Sequence, residues 1–272
     1  MEETVLRLAR QVETRRYGKH RGTVADNQDP HRLGRLKLRI PSVLGDQASD
    51  WALPCLPFGG SANVGFFAVP EVDAAVWVEF EEGDIHRPIW TGTFWQQGAD
   101  VPAEAAKQDP TTRLIRTPSG HVLQFDDADG EEQFRLRHPS EAEVLIDRNG
   151  SITLTDAGDN TVRLDASGTT VVVEDANGNV LHMSSSGVTV EDANGNKIEM
   201  AAAGIKVEGQ MVTLQGSVVN LGGSGGEPVI KGTTFLALFA THIHTSTPLG
   251  GPTSPPIPQG EMSSLSTKVM AT

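Results

Sequence analysis

A hexapeptide, Glu-Asp-Ala-Asn-Gly-Asn, begins at Glu174 and again at Glu191, a period of 17 residues. Around the two copies apolar residues alternate with polar ones: Leu181 and Met183, Val188 and Val190, Ile198 and Met200, Ile205 and Val207. A period of two puts each such pair on one face of a strand. Asn-Gly, at Asn177-Gly178 and Asn194-Gly195, is the pair preferred by two-residue type I′ hairpins. Residues 155–207 therefore read as an array of short β-strands joined by tight turns. Each strand offers only about two inward apolar residues, so a unit of this kind must stack to bury them. Stacking inside one chain would give a solenoid or a sandwich. Stacking on copies from other chains would give an intertwined homotrimeric β-helix, the working hypothesis.

Composition agrees with thin strands and many turns. The 272 residues include 29 Gly and 16 Pro, with aromatics at 5%, which does not suit one compact enzyme core. No apolar run approaches the ~18 residues a membrane span needs. Residues 1–10 are charged throughout, unlike a secretory leader, so the expectation is assembly in the cytoplasm. Cys55 is the single cysteine, which leaves no internal disulfide framework and no cysteine-based zinc site. Flanked by Leu and Pro, it reads as a small buried residue. The net charge of −13 is unevenly placed: residues 1–41 hold ten Lys/Arg against five Asp/Glu, and residues 42–272 hold twelve against thirty. A basic end on an acidic body suits an oriented object with different partners at its two ends.

Ahead of the array, residues 3–12 read as a short amphipathic helix with Val5, Leu8 and Val12 on one side. Six short strands are then expected, at 17–25, 33–40, 51–56, 64–69, 74–80 and 88–95, each bounded by Pro, Gly or Asp. Residues 33–40 alternate strictly, with Leu36, Leu38 and Ile40 inward and Arg35, Lys37 and Arg39 outward. Short strands without a long helix point to a small closed barrel, of which the OB-fold is the commonest Greek-key form.

These residues resemble a known family. Asp29-Pro30, Gly34-Arg35, Ile40-Pro41, Pro70, the run Val76-Trp77-Val78-Glu79-Phe80, Gly83-Asp84, Arg87-Pro88 and Gly92 are similar, in type and order, to the OB-fold domain of the contractile-phage baseplate assembly protein V / central spike family. The same domain occurs in tailocin, extracellular contractile injection system and type VI secretion spikes. One departure is Glu71-Val72-Asp73, where the family usually has a Gly-Asp turn. Residues 117–139, with Gly120-His121 and Asp126-Asp127, look like the start of the family's rod. The resemblance implies an all-β fold, an OB-fold barrel followed by an intertwined trimeric β-helix (β-prism) rod. The expected division is an N-terminal arm at 1–16, the OB-fold domain at 17–98, a linker at 99–112, the spike at 113–231, and a C-terminal apex with a Pro-rich tail at 232–272. It also implies a homotrimer that docks on a baseplate hub protein, carries a tip protein of the Pro-Ala-Ala-Arg repeat type, and is driven through a target cell envelope. Such a chain would be part of a virion or injection particle. The fourteen-residue linker leaves no room for the lysozyme domain that some members insert there.

The sharpest candidate site is His242 with His244. On a strand, positions i and i+2 share a face, so two imidazoles can converge. Three such pairs about a trimer axis would give six nitrogen ligands, a set suited to octahedral iron, and the resemblance implies iron at these two positions. The Glu-Asp-Ala-Asn-Gly-Asn turns lack the register of a calcium loop. Glu79, Glu81 and Glu82 read as a solvated strand face, and the 222–226 run of Gly and Ser lacks the Lys-Ser/Thr of a phosphate loop. No catalytic constellation emerges, so the expectation is a structural protein rather than an enzyme. Two readings from other classes compete: a spike-borne cell-wall hydrolase, and an OB-fold single-stranded nucleic-acid-binding protein. The acidic balance and few aromatics argue against nucleic acid as a partner.

Overall fold

The computed structural model describes residues 14–221, 227–241, 249 and 265–271. They fall into two compact units, Met1–Pro139 and Ser140–Thr272. The expected helix at 3–12, the 222–226 run, His242, His244 and the Pro-rich segment at 250–260 lie outside the described residues.

In the first unit, β1 (His20–Asp26), β2 (Lys37–Arg39), β3 (Leu53–Pro54), β4 (Ala75–Phe80) and β5 (Pro88–Thr93) form a sheet in the order β2-β1-β4-β5-β3. Bridges from Leu36 to Ala52 and from Arg39 to Ala48 join its two ends and close the barrel. The helical turn α1 (Pro41–Leu44) follows β2, with Pro41 at its first position, where a missing N–H costs nothing. The alternation read from the sequence holds: Leu36, Leu38 and Ile40 are fully buried and pack with Val24, Ala52, Val76, Val78, Phe80 and Trp90. Trp90 Nε1 donates to the Gly34 carbonyl at 3.0 Å inside this core. Glu71-Val72-Asp73 still makes a turn, because Asp73 itself takes a left-handed φ of 68° and its N–H donates to the Val24 carbonyl. The expected strand at 64–69 does not form. Gly59, Gly60 and Gly65, all at positive φ, give instead a loop closed by one bridge from Ser61 to Val64.

The same unit contains β6 (Thr112–Arg116), β7 (Val122–Asp126) and β8 (Gln133–Arg137), an antiparallel meander. The segment read as a linker is a strap over these strands. It makes two short 3₁₀ turns, Gly98–Asp100 and Ala103–Ala105. Glu104 then pairs with Arg116 and Arg137, and Lys107 with Asp126. Val122, Gln124 and Asp126 are buried, which marks the strapped face of β7.

The second unit continues as β9 (Glu143–Ile146), β10 (Ile152–Thr155), β11 (Thr161–Asp165), β12 (Thr170–Glu174), β13 (Val180–Ser184), β14 (Gly187–Glu191), β15 (Lys197–Ala201) and β16 (Gly204–Glu208). Every strand pairs antiparallel with its sequence neighbours. Past β16 the expected run of strands stops: residues 209–218 form none, although Met211, Val212 and Leu214 alternate with polar neighbours in part and are exposed. Then β17 (Val219–Asn220), β18 (Glu227–Ile230) and β19 (Leu265–Ala271) make a small sheet in which β19 lies between the other two. The apolar run at 233–240 is helical, within α2 (Gly232–Thr241). Since Leu265 registers opposite Ile230, the chain returns to the place it left.

Candidate functional site

The hairpin turns are built differently from the type I′ pairs expected. Asn177 and Asn194 are absent from the residues at positive φ, which include Gly178 at 86° and Gly195 at 81°. Type I′ needs positive φ at both central positions. Instead Gly178 N–H donates to the Asp175 carbonyl at 3.0 Å, and Asp175 N–H donates to the Asn179 carbonyl at 3.1 Å. This is the three-residue loop, a type I turn followed by a left-handed Gly. The Asp side chain organises it. Asp175 Oδ1 accepts from the N–H groups of Asn177 and Asn179, both at 2.9 Å, and Oδ2 accepts from Asn179 Nδ2 at 2.7 Å. Asp192 with Asn194 and Asn196 repeats the arrangement. These donors favour the carboxylate: backbone and side-chain bonds from Asn179 hold Asp175 down to about 2. Asp156 and Asp192 are lowered likewise, first by the side chains of Asn160 and Asn196.

Successive turns on one edge are also joined to each other. Asn160 Oδ1 accepts from Ala176 N–H at 3.1 Å, and Asn179 Oδ1 from Ala193 N–H at 3.2 Å. On the opposite edge Ser151 plays this part, its Oγ donating to Asp165 Oδ1 at 3.3 Å and accepting from Ala166 N–H at 3.2 Å. The last residue of each such turn thus reaches the next turn along.

Between the edges, register and alternation sort the side chains onto two faces. One face carries two rows that cross all eight strands. The first runs Ile146, Ile152, Leu164, Val171, Met183, Val188, Met200, Ile205; the second runs Val144, Leu154, Val162, Val173, Leu181, Val190, Ile198, Val207. Every member is apolar. The opposite face has a mixed central row that includes Thr153, Arg163, His182, Thr189, Glu199 and Lys206. Little of the described chain covers the apolar face: Met211, Val212 and Thr213 share a groove with the second row, yet Val190 is still 43% exposed and Ile205 72%. Among the described residues, the buried apolar side chains all lie from Val24 to Val122, so the second unit has no core of its own. At ~4.8 Å per strand and ~3.4 Å per residue, the uncovered strip is roughly 34 Å long and about 7 Å wide.

The barrel presents another kind of surface. Arg21 lies over the rings of Trp77 and Phe94, at 5.7 and 5.6 Å, and Lys37 lies 5.3 Å from the Trp51 ring. Neither makes an ion pair with a described residue. Asp29 is used locally: bonded to the Arg35 guanidinium and to the N–H groups of His31, Leu33 and Arg35, its carboxyl is held well below the usual range. Of the acidic residues read as a solvated strand face, Glu79 pairs with Lys19 at 3.1 Å and Glu81 with Arg87 at 2.7 Å. Cys55 corrects its reading, since it is exposed. Its N–H pairs with the Trp90 carbonyl at 2.9 Å, while its side chain lines an open groove beside Phe94 and Trp95. Among the described residues no three His, Cys, Asp or Glu side chains gather as a metal site, and no helix is long and apolar enough to cross a membrane.

Comparison with known proteins bears first on the barrel. Residues 20–95 match the family described as the type VI secretion system/phage-baseplate injector OB domain. An actin cross-linking toxin VgrG1 from a classical strain of Vibrio cholerae serotype O1 is 30% identical over 125 residues, covering 43% of this chain and 11% of the relative. A type VI secretion system spike protein VgrG3 from an El Tor strain of the same serotype is 29% identical over 126 residues, covering 43% and 12%. The matched stretch is thus about a tenth of either relative. Among solved structures, the TCP domain of Drosophila SAS-4 with a proline-rich motif of Ana2 aligns over 51% of this chain and 81% of that one, with 8% identity and a TM-score of 0.25. That score carries no argument. The resemblance to the baseplate spike family, read from the barrel motifs, is shown by the first three matches.

Proposed function

We propose, from the premise that residues 20–95 are an injector OB domain of the baseplate spike family, that the chain is one protomer of a homotrimeric central spike in a contractile injection machine. The observation that carries this reading is the two-row apolar face of β9–β16, which the described part of the chain leaves largely open to water. Short turns join all its strands, and the ladder stays open, since β9 and β16 do not pair with each other to close a barrel over the face. A strip only two residues wide fits a prism, in which three copies bring their strips to a common axis and leave the mixed faces to water. The stacked hairpins would then form a stiff shaft.

The action is mechanical. Sheath contraction drives the shaft through a target envelope, and no bond is made or broken by the residues described above. Arg21 and Lys37, held over aromatic rings and without a carboxylate partner among the described residues, support docking of the barrel on an acidic hub protein. A separate tip protein of the Pro-Ala-Ala-Arg repeat type would sharpen the far end. His242 and His244 would hold iron at the axis, and no step depends on it. Elemental analysis is expected to find about one iron per three chains, the ratio a threefold site requires, and a different metal or none would remove this assignment.

Light scattering on the purified chain tests the main reading. Three times the 29.0 kDa of one chain is expected. A particle of two chains would replace the prism with a face-to-face sandwich, and a monomer would overturn the spike.

A further inference from the structure

We infer that the groove beside Trp95 is part of the contact between copies and is filled by a second copy of this chain; the inference rests on the assembly proposed above. The groove measures about 1050 Å³, and Cys55, Phe66, Trp90, Phe94, Trp95 and Ile115 are among its lining. Trp90, only 5% exposed, roots it in the barrel core, whereas Trp95 at 62%, Ile115 at 54% and Phe66 at 46% stand open to water. Large apolar side chains gathered in one concave place, unlike scattered ones, mark a surface that is covered in use.

Ile115 decides what covers it. Besides lining the groove, this residue heads a row across β6–β8, Ile115 to Leu123 to Leu136, on the face turned away from the strap. Beside that row the Phe125 and Phe134 rings lie 5.2 Å apart, and Leu136 and Phe125 are exposed. A copy seated on this face meets the groove at the same residue. The contact also needs the added area. The two-row strip of β9–β16, about 7 Å wide, projects only on the order of 240 Å² per copy, well short of the ~800 Å² per partner of a standard stable interface. Aromatic surface from the barrel makes up part of the difference.

Cys55, the single cysteine, is a native probe of this groove. The full-length assembled protein is labelled with a maleimide, followed by intact mass, and compared with the same protein in denaturant. Labelling at least tenfold slower in the assembly is the expected result. Trp95→Asp, at a position that one chain leaves exposed, should restore fast labelling and lower the dissociation temperature while the far-ultraviolet dichroism of the strands persists. A trimer whose Cys55 labels at the denatured rate, or a Trp95→Asp trimer of unchanged stability, overturns the groove contact and leaves the spike reading intact. A monomer of 29.0 kDa overturns both.

Discussion

Asp175 shows how much of the array depends on single side chains. Its carboxylate is tied to the N–H groups of Asn177 and Asn179 and to the Asn179 amide, and those bonds favour the charged form. Because the folded value is lowered to about 2, the stabilisation is fully present above the unfolded value near 4 and is lost as pH falls through about 2. Asp156, Asp165 and Asp192 are shifted in the same direction. The melting temperature should therefore drop between pH 4 and pH 2. In an Asp175→Asn variant, scanned by calorimetry, the protein should start less stable at pH 7 and show a smaller drop; an undiminished drop would mean that this carboxylate is not among those responsible. Asn179 works one turn further, accepting from Ala193 N–H. Deleting its side chain with Asn179→Ala removes this bond and the one to the Asp175 carboxylate and should cost about 2 kcal/mol, the second bond being charge-assisted, read from urea unfolding.

At the scale of the hairpin, two glycines that look alike in sequence do different things. Gly195 sits at a φ of 81°, and a Cβ there would meet open space. Gly187, at a φ of 140°, would drive a Cβ into the carbonyl of Met200 on the neighbouring strand. Gly195→Ala should therefore cost about 1 kcal/mol of backbone strain, and Gly187→Ala more than ~3 kcal/mol because the β14–β15 ladder must part. Equal shifts in the urea midpoint would show that the close approach is not kept in solution. This contrast also marks the limit of sequence reading. Alternation gave the strands and their faces correctly from Leu181 to Val207, because period-two patterning is local. Asn-Gly alone suggested the wrong turn, although the Asp two residues before it and the Asn after Gly hold the signal of the three-residue loop. What lay beyond reach was non-local. Arg137 joins Glu104 from 33 residues away, so the strap looked like a linker, and Cys55 looked buried because the groove beside it is shaped by Phe66, Trp95 and Ile115 from distant segments. Residues 209–218 carry a strand-like pattern but lack a partner strand among the described residues, and pattern alone does not supply one.

For the whole molecule, the apolar strip makes assembly and stability one question. Val190→Asp places a charge at the middle of a row where the single chain leaves the side chain 43% exposed. One chain tolerates it, and a dry interface between copies does not, since an unpaired buried charge costs several kcal/mol. The variant should run as dissociated chains by light scattering, whereas Glu199→Asp on the mixed face should leave the assembly intact. An assembled Val190→Asp protein would show that the strip faces water in the particle too. The strand ladders carry one more consequence. Their hydrogen bonds cross from strand to strand and so point along the direction in which the strands are stacked. Thrust in that direction presses donors onto acceptors in every ladder at once. Tension in the same direction opens the ladders one after another, each hairpin peeling from the next. In the proposed spike, a shaft built this way would be stiff when driven forward and would yield when drawn back, which suits a part used for a single stroke.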